Sequence, residues 1–208
     1  MFFRSLSKFY LSAAITCVII CSGQFAQAQT VSATSLGSSN VDIYKTIRQR
    51  VYGFRISSTG GSSTLTALTT QPTGGTYTAS DIIDFSLYFN TADNFASATL
   101  VGTSSASAGT GEALNFNSFS QVIADDGLDK FFYIAANVAA SATSGATLSI
   151  PPFNVSNFTF STVVTFSGLS LGPSGTKTIQ DQAPFITTWK TDNPGTSNDD
   201  QITIPTTG

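Results

Sequence analysis

Ile82-Ile83-Asp84-Phe85-Ser86-Leu87-Tyr88-Phe89-Asn90 is the stretch whose reading decides the fold. Ile83, Phe85, Leu87 and Phe89 recur every second residue, with Asp84, Ser86 and Tyr88 between them. That is the period of a strand with one face in a core. A helix would place apolar residues three and four apart, and no segment keeps that spacing over three turns. Downstream, Phe132, Ile134, Ala136 and Val138 alternate with Phe131, Tyr133, Ala135 and Asn137. Both sets begin apolar, so this strand is expected to be buried on both faces near its start.

The same punctuation continues in both directions. Val51 to Ile56 alternates with Tyr52, Phe54 and Ile56 on one face, and Gly60-Gly61 ends it. Residues 65–70 form the next strand, closed by Gln71-Pro72-Thr73-Gly74-Gly75. Further strands are expected at 95–101, at Leu114, Phe116 and Phe119 (with a bulge between the last two), at 146–150, at 158–166 and at 169–171, with a short polar one at 176–180. Asp125-Asp126-Gly127 and Gly172-Pro173-Ser174-Gly175 read as turns. Strands about ten residues apart, separated by Gly, Pro, Ser and Asn, indicate an all-β, antiparallel sandwich of immunoglobulin-like or jelly-roll-like type.

Composition agrees and excludes several functions. Of 208 residues, 17 are Phe, 10% are charged, one is Glu and none is His. Helical bundles need Glu, which is nearly absent here. Without imidazole there is no Ser-His-Asp triad and no His-ligated zinc. A formal charge of −3 with no basic stripe speaks against nucleic acid.

The first 28 residues read as a cleaved signal peptide. Arg4 and Lys8 form the basic start, residues 9–21 are an apolar stretch broken only by Ser12 and Thr16, and Ala26-Gln27-Ala28 is an A-x-A cleavage site. The apolar run is shorter than the ~20 residues a membrane helix needs, so no span is expected after cleavage. Cys17 and Cys21 both lie in this segment, and Ile20 ahead of Cys21 is a poor fit to a lipid-attachment signal. The exported chain then starts at Gln29, has no cysteine, and carries seven basic residues against twelve acids. Residues 29–45 read as a Ser/Thr/Gly-rich leader, 46–182 as the sandwich module, and 183–208 as the start of a truncated downstream domain.

No catalytic, cofactor-binding or metal-binding residue stands out. Asp81 and Asp84 could be a carboxylate pair but read as solvated turn and surface groups. Asp125, Asp126 and Asp129 crowd three carboxylates around Gly127, and Asn198-Asp199-Asp200 is similar, yet neither matches a calcium-binding loop. Tyr44, Tyr52, Tyr77, Tyr88 and Trp189 are the amphipathic aromatics that could stack on a sugar. The sequons at Asn154 and Asn157 suggest an exposed segment.

Two resemblances add to this. Ala79-Ser80-Asp81-Ile82, Phe85 to Thr91, residues 95–103 and Phe131 to Gly145 together resemble the β-sandwich module that precedes BNR-repeat bacterial neuraminidases and recurs in secreted surface proteins. Asn137 stands where that family has Asp. Pro184 to Thr191 with Ile202-Thr203-Ile204-Pro205-Thr206-Thr207-Gly208 resembles the start of a domain in bacterial leucine-rich-repeat surface proteins. The resemblance implies a non-catalytic accessory module, secreted or on the outer cell surface, for adhesion, spacing or presentation of a downstream domain. Its partners would be glycans or cell-surface proteins. The alternative is a carbohydrate-binding module of a sialidase-like enzyme.

Overall fold

The computed structural model describes residues 29–71, 73–104 and 109–181. Residues 1–28, read above as a signal peptide, the tail with Trp189 and the Asn198 to Asp200 run lie outside the described residues.

The fold is all-β. A six-stranded sheet runs in the order β13 (Thr165–Ser170), β1 (Thr30–Ser35), β3 (Arg48–Thr59), β10 (Lys130–Val138), β6 (Ile82–Asn90) and β7 (Thr99–Ser104). A four-stranded sheet joins β2 (Val41–Tyr44), β14 (Lys177–Gln180), β11 (Thr147–Ser149) and β5 (Gly74–Gly75). A third sheet joins β12 (Phe158–Phe160), β4 (Ser63–Thr69) and β8 (Asn115–Phe116), with β9 (Gln121–Ile123) also on β4. Most pairings are antiparallel, as expected, but β13 pairs with β1 and β14 with β2 in parallel.

One continuous core lies between the sheets. Tyr52, Phe54, Ile56, Phe85, Leu87, Phe132 and Ile134 come from the large sheet. Leu65, Leu68, Phe116, Ile123 and Phe158, together with Ile43, Leu148 and Ile179, come from the smaller ones. The sandwich therefore buries the alternating residues that the sequence marks. Tyr133 and Ala135, on the opposite side of β10, are fully buried too. This is the two-sided burial expected for that strand.

Three expectations need correction. Residues 29–45 are not a loose leader, because they supply β1 and β2. Val31 and Ala33 are core residues, and β1 pairs over its whole length with β3. Ser and Thr at alternate positions hid this strand, since only two residues in six reach the core. Residues 95–98 are not strand but turn, with β7 starting at Thr99. Phe119 is buried but lies outside the two-residue β8, beyond Ser118 with φ 64°.

The deciding strand also carries a local surprise. Ile82 is buried and Ile83 is 51% exposed. Between β10 and β6 the register jumps at this point: Asn137 faces Asp84, while Val138 faces Ile82. Ile83 is the extra residue of a bulge and is turned outward. We expect Ile83→Thr to change stability by no more than about 0.5 kcal/mol, as read from urea unfolding.

Candidate functional site

The outer face of the large sheet carries the site. Strands β3, β10 and β6 put three rows of residues across it: Arg48, Asn137, Asp84; then Arg50, Ala135, Ser86; then Gly53, Tyr133, Tyr88. The register shift opposite Ile134/Ala135 skips Val51 and so keeps both arginines on this face.

The first row is a closed polar network. Arg48 donates to Asp84 Oδ2 at 2.6 Å, to Ser86 Oγ at 2.8 Å and to the Tyr88 hydroxyl at 3.1 Å. Asn137 Nδ2 donates to Asp84 Oδ2 at 2.9 Å, and Ser86 Oγ to Asp84 Oδ1 at 2.8 Å. Both oxygens of Asp84 are thus occupied, and its charge is matched by Arg48. Asn137 serves this network as a donor, which an ionised Asp at this position could not do. We expect Arg48→Ala to cost about 1.5 kcal/mol, and a double-mutant cycle with Asp84→Ala to show coupling on the order of 1 kcal/mol.

The third row is aromatic. Tyr133 donates its hydroxyl to Asp93 Oδ1 at 2.9 Å. Burial, then the Asp93 charge, holds its phenol well above the ordinary value. Phe95 stands edge-on to both Tyr88 and Tyr133, with ring centroids 5.4 and 5.6 Å away. The Arg50 guanidinium lies 5.8 Å from the Tyr133 ring centre. Gly53 makes room beside them: a Cβ there would come within 3.1 Å of Leu36 and 3.3 Å of Tyr133.

Beside this row opens a cavity of about 220 Å³, lined by residues 36–39, Val41, 50–53, Ser174 and Lys177. Its walls are held by bonds between two loops. Ser39 N donates to Ser174 O and Val41 N to Thr176 O, and Thr176 N donates to Asn40 Oδ1. Gly175, with φ 74°, lets them meet, because a Cβ there would lie 2.7 Å from Ser39 O. Lys177 is buried, and its Nζ donates to the carbonyls of Ser174 at 2.8 Å and of Ser39. Desolvation, then the nearby charge of Arg50, lowers its pKa.

The other residues singled out from sequence fall elsewhere. Asp81 is not solvated but 1% exposed. It accepts from Thr78 N at 2.7 Å, Thr78 Oγ1 at 2.9 Å and Thr143 N at 2.7 Å, stapling the entry of β6 to the loop after β10. It does not share a site with Asp84. Asp126 is held by Lys130 at 2.8 Å, and Asp129 by Arg55 at 2.8 Å. Among the described residues no group of three metal-ligating side chains forms. Tyr52 and Tyr77 are buried and offer no face to a sugar, while Tyr44 and Tyr88 are half-buried. Asn157 is buried too, bonded to Asn154 N at 2.6 Å, so only Asn154 of the two sequons is exposed.

Sequence reasoning missed Arg48, Arg50 and Lys177. The sequence shows no basic stripe, and nothing in it separates their fates: Arg48 joins a network, while Arg50 and Lys177 line a cavity. No protein-family model matches this chain, and no curated protein matches it.

Proposed function

We propose that the chain is a non-catalytic accessory β-sandwich module of an exported bacterial surface protein, acting in adhesion, spacing or presentation of a downstream domain. The observation that carries this reading is the fate of the carboxylates. Of the five described acids singled out from the sequence, four (Asp81, Asp84, Asp126 and Asp129) are each engaged in hydrogen bonds or ion pairs that hold the fold. A general acid or base needs a carboxyl free to exchange its proton with substrate. The carbohydrate-binding alternative draws support from Tyr88, half-buried on the outer face beside Arg48.

Affinity-gel retention of the exported chain on immobilised glycans separates the two. The accessory reading expects no glycan-specific retention. Saturable retention that falls at least tenfold in Tyr88→Ala would install the carbohydrate-binding reading instead.

A further inference from the structure

The cavity beside Tyr133 carries positive charge that no acid among the described residues pairs. The described residues hold six cations. Lys45, Arg48, Arg55 and Lys130 are ion-paired, to Asp181, Asp84, Asp129 and Asp126. Arg50 and Lys177 have no acid at ion-pair distance among the described residues, and both line the same cavity. The chain has twelve acids against nine bases, so the lack of an acid beside these two cations is not for want of acids.

The two cations also differ usefully. Lys177 is buried against two carbonyls, which leaves one of its three N–H donors for another acceptor. Arg50 is exposed at the mouth, with its guanidinium by the Tyr133 ring and a planar fork of donors unspent on any acid. Ser38 and Ser39 stand exposed on the rim. Burying a lysine without a counter-ion costs stability, and an arriving anion would recover it.

We propose that this cavity is a binding site for a small organic anion: one carboxylate or sulfate group on an uncharged polar body no larger than about one sugar ring. The anionic group meets Arg50 and Lys177, and the polar body faces Ser38 and Ser39. The size follows from the volume, about 220 Å³, which exceeds a bare oxyanion and falls below the ~300–1,000 Å³ of drug-sized sites. The accessory-module reading stands whether or not this site is filled.

The test is amide chemical-shift titration of the exported chain with sodium glucuronate, sodium sulfate and glucose. Expected are saturable shifts at residues 36–39 and 174–177 with glucuronate, a dissociation constant on the order of 1 mM, and weakening with added salt. Sulfate is expected to compete, and glucose to give no shifts. Arg50→Gln, which alters an exposed side chain, is expected to weaken binding at least tenfold, while Arg55→Gln leaves it unchanged. Absence of saturable shifts with both anions, equal shifts with glucose, or full binding by Arg50→Gln would each overturn the proposal.

Discussion

Replacing Phe54 by Ala is expected to lower the free energy of unfolding by about 4 kcal/mol, more than any other single truncation considered. Phe54 is fully buried at the middle of β3, a strand paired on both sides. Its ring stacks on Phe132 at 5.3 Å and touches Phe153, Phe158 and Tyr52 at 5.8, 5.9 and 6.1 Å. Phe158 belongs to the third sheet, so this ring joins the two layers. Truncation would remove its buried apolar area and leave a void that four stiff aromatic neighbours cannot collapse into. Phe54→Leu, which refills much of that volume, is expected to cost under half as much. Guanidinium unfolding with unchanged slope reads both. A loss below about 1.5 kcal/mol for the alanine variant would show that the layers do not meet through this ring.

The second large effect belongs to Asp81. Asp81→Ala is expected to cost about 3 kcal/mol, because three donors lose a charged acceptor in a buried place. Asp81→Asn keeps one acceptor oxygen and is expected to cost about half of that. The effect depends on pH in a definite direction. Burial alone would raise the Asp81 carboxyl, but hydrogen bonds from Thr78 and Thr143 outweigh it and hold the pKa below the ordinary value. A depressed folded-state pKa means the contribution is complete above the unfolded value of about 3.9 and is lost as pH falls through the folded value. The stability gap between the native chain and Asp81→Asn should therefore be constant from pH 7 to about pH 5 and shrink towards pH 3. A gap that grows on acidification would mean that Asp81 is not held as a carboxylate.

Much of the sandwich was legible from alternation alone. Phe85, Leu87, Phe132 and Ile134 sit inward as their spacing requires. The failures occur where alternation is interrupted or carries no apolar signal. The bulge at Ile83 reverses that residue and Ile82, and no turn residue announces it. β1 hides in Ser and Thr. Asp81 looked solvated because a charge usually is, and only the fold shows three donors converging on it. The proposed anion site was less legible still, for a physical reason. Arg50 and Lys177 are 127 positions apart, and what sets them apart is having no acid partner among the described residues, where the other described cations are ion-paired.

Product formation by residues 29–208 tests the proposal at the centre of this account, that Asp81, Asp84, Asp126 and Asp129 hold structure and do no chemistry. Chromogenic glycosides, neutral and acidic, would be incubated with the purified chain and with Asp84→Asn. The account predicts release at the buffer rate for both proteins with every substrate. Release above that rate, dependent on protein concentration and abolished in Asp84→Asn, would contradict it.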